Sequence, residues 1–191
     1  AAKGEGLGNR FLAGIREVDA IVFVLRAFSD NDVPGPTDPV EHLRIVEVEL
    51  ALADLETTQK QLLKIEKAAK SDKSIGQILE SLKHASEQLD QGIPIYKSDL
   101  TSSERELLSD FFLLTDKPVL AVVNMGEDQV EETNQILEPV VAELPDQEVI
   151  GMCVQLESEA ALLTSEEQSE MLEELGLGEG ALSRFVRSAY H

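Results

Sequence analysis

The chain has 191 residues, of which 42% are hydrophobic and 28% charged, and its 37 acidic side chains against 16 basic ones give a formal charge of −21. That length holds one domain with a sizeable core, or a core with an appendage, but not two full domains; the charge would repel nucleic acid over most of the surface, so any nucleic-acid contact must be local. No apolar run approaches the roughly 20 residues of a membrane span, the polar, Gly-rich opening is not a signal peptide, and the lone Cys153 excludes a disulfide framework or a Cys-based metal site, so a reducing cytoplasm is the expected location.

Leu7, Phe11, Leu12, Ile15 and Val18 recur at helical spacing and predict a short amphipathic helix. The apolar run from Ala20 to Leu25, bracketed by Asp19 and Arg26, reads as a buried parallel strand. Between Ala27 and Val40 the composition turns to Ser, Asp, Asn, Gly and three Pro, the chemistry of an exposed loop. Beyond it Leu43, Val46, Leu50, Ala53, Leu62, Leu63 and Ile65 suggest one long helix. Ser71-Asp72-Lys73-Ser74 then makes a polar turn, and Ile75, Ile78, Leu79, Leu82, Ala85 and Leu89 step at the three-and-four rhythm of a packing seam. Residues 39–92 therefore read as an inserted antiparallel coiled-coil hairpin, closed by Gly92-Ile93-Pro94.

Thr101 and Glu104 have capping-box spacing and predict a helix carrying Leu107, Leu108, Phe111 and Phe112. Lys117 to Asp128 is the stretch that organises the chain. A β-branched, apolar run bounded by Pro118 and Gly126 reads as a buried strand, and it ends in Asn124 with a carboxylate, Glu127, three residues later. In open α/β sheets ligands lie beyond the carboxyl ends of the strands, where an Asn can offer its amide and carbonyl to the edge of a base. An acidic helix with Ile136, Leu137, Val140 and Val141 inward follows, then a third strand from Glu148 to Leu156. Thr164 and Glu167 cap a helix through Leu172 and Leu175, and Ala181 to Tyr190 can form a last one. Three buried strands alternating with helices give an α/β fold built on a parallel sheet. The expected domains are residues 1–38 and 93–191 as two parts of a nucleotide-binding domain, with the hairpin of 39–92 between them. His42, His84 and His191 show no metal-ligand spacing and read as surface residues.

Three stretches together resemble the YchF-type Obg-like ATPases, P-loop NTPases related to translation factors. Gly4 to Leu12 with Ile15 to Ile21 is similar to the segment after that family's second switch. Leu50 to Thr57 is similar to the first helix of its coiled-coil insertion, and Asn124-Met125-Gly126-Glu127 to its altered base-recognition motif. The resemblance implies a P-loop NTPase-like partial domain that binds and slowly hydrolyses ATP in association with the ribosome. Asn124, Met125 and Glu127 would belong to the base-recognition loop, and Val154, Gln155 and Leu156 to a loop over the base. GTPases of this class carry Asn-Lys-x-Asp, whose Asp accepts from two guanine donors that adenine lacks; Met125 and Glu127 alter that geometry and favour ATP over GTP. No Gly-x-x-x-x-Gly-Lys-Ser/Thr and no Asp-x-x-Gly switch motif is present, so the phosphate and magnesium ligands, together with a C-terminal TGS domain, are expected outside this chain, which alone should be inactive. Where related proteins often carry a strand His considered for hydrolysis, this sequence has Phe23, read as core. A GTP-dependent Obg-like protein, and a non-enzymatic adaptor that binds protein or RNA through the hairpin, are the alternatives. Lys60, Lys64, Lys67, Lys70 and Lys73 recur at steps of three or four and, against Glu66 and Asp72, give residues 60–73 a local charge of +3, a candidate contact for ribosomal RNA.

Overall fold

The computed structural model describes residues 8–29, 35–69, 75–175, 177 and 180–189. Two compact units are formed, Ala1–Asp19 with Arg44–Pro118, and Ala20–Leu43 with Val119–His191. The grouping differs from the three segments expected from the sequence, since residues 93–118 belong with the hairpin.

In the helical unit, α1 (Asn9–Arg16) forms as its spacing predicts, but Phe11 remains 57% exposed. Helix α2 (Pro39–Ala69) begins in the other unit, with Pro at its first position and the Asp38 carboxylate accepting the Val40 N–H at 2.8 Å. Helix α3 (Gly76–Asp90) ends where Gly92 adopts φ +77°, so that Ile93 N–H reaches Gln88 C=O and Gly92 N–H reaches Leu89 C=O. Ala51, Leu82, Ala85, Leu89, Ile95 and Leu108 form the centre of this unit's core, with Leu62 and Ile65 at its edge. Leu63, expected inside, is exposed. The buried positions of α2 instead include three polar residues, Glu47, Asp54 and Thr58, because one face of the helix meets donors as well as apolar side chains.

Helix α4 (Ser102–Leu108) has the predicted capping box, with Thr101 Oγ1 accepting from Glu104 N–H and the Glu104 carboxylate accepting from Thr101 N–H. It is shorter than expected: a 3₁₀ turn, Ser109–Phe111, follows, and Phe112 stops the helix in the left-handed region at φ +49°, exposing its ring. His84 is no plain surface residue, since its Nδ1 lies 2.9 Å from Glu104 and its Nε2 2.9 Å from Asp99. Asp54 is fully buried and accepts from Leu114 N–H, Thr115 N–H and Thr115 Oγ1 at 2.9, 2.7 and 2.9 Å, with the Arg16 guanidinium at 3.4 Å. Burial raises its carboxyl pKa, and these donors oppose that rise. Glu47 likewise accepts from the Tyr96 hydroxyl and pairs with Lys97; burial, with that carboxylate, pushes the Tyr96 phenol well above its usual range.

The second unit holds a parallel sheet of order β1-β2-β3: β1 (Ile21–Arg26), β2 (Val119–Asn124) and β3 (Glu148–Met152). Central β2 is buried on both faces, as its unbroken apolar run requires. Strand β1 buries Ile21, Phe23 and Leu25, but Val22 and Val24 on the opposite face are exposed, which corrects the expectation of a fully buried strand. A 3₁₀ turn, Glu127–Glu132, leads into α5 (Thr133–Glu143), where Val140 is buried and Val141, expected inward, is 47% exposed. The third strand stops at Met152; Val154–Ala160 is a helix, α6. Next, α7 (Ser165–Glu174) starts at the predicted Thr164 capping box. Helix α8 (Ala181–Ala189) then sets Ala181 and Phe185 against Leu120, Val122, Ile150 and Met152. The buried Glu157 carboxylate accepts the Ala181 and Leu182 N–H groups and so caps α8 from α6. Among the described residues no helix is long and apolar enough to cross a membrane.

Candidate functional site

At the carboxyl end of the sheet, Arg26, Asn124 and Met152 stand in register across the three strands. Short hydrogen bonds join the chain where it leaves them. Ala27 N–H donates to Asn124 C=O at 2.8 Å, Met125 N–H to Met152 C=O at 3.0 Å, and Val154 N–H to Asn124 Oδ1 at 3.2 Å. Asn124 therefore ties the β1 and β3 loops to its own, and with Oδ1 engaged its Nδ2 is the group available as a donor. Beside it opens a cavity of about 450 Å³ lined by Asn124, Met125, Gly126, Val154, Gln155 and Phe28, with Cys153, Ser158 and Glu159 completing the wall. A smaller one, about 270 Å³, shares Phe28 and Asn124 and adds Arg26, Gly35, Pro36 and His42.

The structure thus brings four of the six expected base-site residues together, Asn124, Met125, Val154 and Gln155, and leaves two outside. Glu127 is exposed at the start of the 3₁₀ turn and does not line the cavity. Leu156 lies one turn into α6, buried against Met125 and Cys153. The expectation that Val154 to Leu156 end a strand is corrected, since the strand pattern breaks at Cys153 and a helical turn carries these residues. Met125 is 3% exposed and its thioether accepts from Thr133 Oγ1. Gly151 makes room for it, because a Cβ there would lie 2.9 Å from the Met125 methyl. Met125 is therefore floor beneath the cavity more than a wall beside it.

Comparison with known proteins shows what the chain is similar to. The Bacillus subtilis protein named ribosome-binding ATPase YchF is 40% identical over the whole of this chain, which covers 54% of that relative. Over its whole length the chain is similar to YchF proteins. The Escherichia coli O157:H7 protein of the same name is 36% identical at the same coverage, and the Saccharomyces cerevisiae protein named Obg-like ATPase 1 is 37% identical over 92% of this chain and 48% of its own length. A solved structure, described as the Schizosaccharomyces pombe YchF GTPase, matches the whole chain with a TM-score of 0.85 at 30% identity, covering 54% of that molecule. The P-loop NTPase-like fold of the YchF family is thus the fold of this chain. No family model matches it. The chain spans about half the length of the curated relatives it matches.

Several groups around these cavities were not legible from spacing. Arg26, 8% exposed, donates to the carbonyls of Pro36 and Gly35, and its guanidinium lies 5.8 Å from the centre of the Phe28 ring. His42 is half-buried rather than superficial; its Nδ1 accepts the Arg26 backbone N–H at 3.3 Å, which requires a neutral ring, and burial together with the Arg26 charge lowers its pKa. Gln129 carries the only such signal in the sequence, since it stands three residues after Gly126, the distance at which a side chain can reach back to a free N–H. On α2, Lys60 pairs with Glu56, and Lys64 and Lys67 are exposed. Lys70 and Lys73, like His191, lie outside the described residues.

Proposed function

We propose that this chain forms the base-binding part of an adenine-nucleotide site in a longer, ribosome-associated protein that hydrolyses ATP slowly. The observation that carries the reading is Asn124 at the end of β2, its Oδ1 fixed by Val154 N–H so that Nδ2 can donate to a ring nitrogen of a base in the adjoining cavity. Adenine presents an acceptor nitrogen beside an amino donor, and the side-chain oxygens of Gln155 or Glu159 on the cavity wall can accept from that amine. Glu127, outside the cavity, does not offer the paired acceptor that guanine needs, and the curated relatives are named ATPases. Calorimetric titration of the full-length protein with ATP and with GTP tests the preference; equal affinities would sink it. GTP is the second reading, favoured by the Glu159 carboxylate on the wall and by the description of the Schizosaccharomyces pombe protein as a GTPase.

Phosphoryl transfer depends on positioned phosphate ligands and magnesium. The resemblance implies that the magnesium ligands lie on residues outside this chain, and no step of the reading runs through the ion. The isolated 191-residue chain should accordingly turn over neither ATP nor GTP. Ribosome association is assigned to the Lys60, Lys64, Lys67, Lys70 and Lys73 stripe of the hairpin. The relatives named ribosome-binding support it, as does the local reversal of charge. Replacing Lys60, Lys64 and Lys67 with Glu should weaken ribosome co-sedimentation and flatten its salt dependence while ATP binding is retained; unchanged co-sedimentation across salt concentrations would return the stripe to an ordinary solvated face.

A further inference from the structure

We propose that Gln129 is a positioning residue of the base pocket, locking the loop after β1 to the loop after β2; this rests on the base-binding reading above. Its side-chain amide bridges the two loops: Oε1 accepts Gly126 N–H at 2.8 Å and Nε2 donates to Ala27 C=O at 3.0 Å. The partners fix the orientation, since an N–H can be met only by the amide oxygen and a carbonyl only by the amide nitrogen. Gly126 N–H is one of the free donors that open the Glu127–Glu132 turn, and without Gln129 it has no partner from its own helix. The peptide groups flanking Ala27 are gripped from two sides, its N–H by Asn124 C=O and its C=O by Gln129.

The residues on either side of this bridge are the ones that line the cavity. Phe28 follows Ala27, and Asn124, Met125 and Gly126 lead up to the turn that Gln129 belongs to. The loops approach closely, for a Cβ on Gly126 would lie 3.7 Å from the Phe28 Cβ. Gln129 itself is not part of the cavity wall, so it acts through Asn124 and Phe28 and not by touching the nucleotide. A carboxylate of nearly the same shape separates the two halves of the bridge. Glu at this position keeps an acceptor for Gly126 N–H but turns a second oxygen toward the Ala27 carbonyl, and only on protonation does it regain a donor.

The test uses the full-length protein and ATP, comparing wild type with Gln129→Met and Gln129→Glu at about pH 7.5 and about pH 5, a range that spans carboxyl titration in a partly desolvated setting. At the higher pH both variants should bind ATP roughly five- to twentyfold more weakly, the scale of one or two lost hydrogen bonds. Turnover at saturating ATP should stay close to wild type, because what is lost is ground-state positioning. At the lower pH the deficit of Gln129→Glu relative to wild type should shrink, and that of Gln129→Met should not. Should Gln129→Met fail to fold, Gln129→Ala carries the same expectation. ATP binding by Gln129→Met at wild-type strength, or a Gln129→Glu deficit that does not change with pH, would overturn the assignment. Asn124→Ala, run alongside, separates the two readings: weakened binding in Asn124→Ala with wild-type binding in Gln129→Met removes only Gln129, whereas unaltered binding in Asn124→Ala removes the base site itself.

Discussion

Replacing Asp54 with Ala should be among the most destabilising single changes available in the helical unit. The carboxylate is fully buried and receives two backbone N–H groups and a hydroxyl, from Leu114 and Thr115, which are themselves at most 1% exposed. Alanine leaves both N–H groups without partner or water, and each orphaned buried donor costs about 1–3 kcal/mol. The Thr115 hydroxyl can rotate and still accepts from Ile95 N–H, so its loss weighs less. Removing a desolvated charge returns part of the cost. A net loss of about 3–5 kcal/mol follows, a large fraction of the 5–15 kcal/mol that a domain has in total. Asp54→Asn retains one acceptor and should lose about half as much. Urea unfolding followed by circular dichroism, with the slope unchanged, measures both. An Asp54→Ala variant within about 1 kcal/mol of wild type would show that the Leu114–Thr115 turn re-forms against water, and the account of the buried acceptor would be wrong.

Three further outcomes are expected. Asn124→Ala in the full-length protein should weaken nucleotide binding by about 1–3 kcal/mol while unfolding changes less; unaltered affinity in an unfolding-prone variant would make Asn124 a turn-closing residue only. Gly151→Ala should destabilise by about 1–3 kcal/mol, since its Cβ would meet Met125 and Thr133 at 2.9 Å and Leu137 at 3.2 Å; a thermal melt superimposable on wild type would refute this. The Glu104 side-chain hydrogen bond, with Asp99, raises the His84 pKa, so that stability is fully present below about pH 6.5 and lost as pH rises through the raised value. The same pair depresses Glu104 to about 2, a contribution present above its ordinary value near 4.5 and lost as pH falls toward 2. The melting temperature should therefore be highest between these limits, and the alkaline fall should flatten in His84→Gln; an identical pH profile in that variant would exclude the pair as its cause.

Features set by neighbouring residues were legible in the sequence, and features set by what lies across a gap were not. Strand β2 and the capping boxes at Thr101 and Thr164 follow from contiguous residues, and the structure has them where their patterns put them. The end of β3 was hidden because the apolar run from Val149 continues through Leu156 while the backbone passes from strand to helix at Cys153. For β1, a run of Ile, Val and Phe reads the same whether one face or two are covered, and Val22 and Val24 are open. Apolar periodicity placed Leu43 and Leu50 inside but could not see Glu47 or Asp54, whose burial depends on Tyr96, Leu114 and Thr115, far along the chain. At the candidate site, Asn124 ends β2 where its pattern put it, Arg26 and His42 act through backbone groups that no pattern of side chains reveals, and Gln129 shows only as a side chain three residues after Gly126.

The buried acids of α2 bear on how the helical unit avoids near-miss packings. Leu and Ala repeating every three or four residues make a surface almost periodic along the helix, on which a shift by one turn would forfeit little apolar contact. Glu47 and Asp54, seven residues apart on the buried face, break that periodicity: each matches only the donors placed opposite it, Tyr96 and Lys97 for one, Leu114 and Thr115 for the other. A slipped helix would strand two carboxylates in an apolar seam and orphan their donors at the same time. The two acids work as the notches of a key, giving an otherwise repetitive rod a single seating.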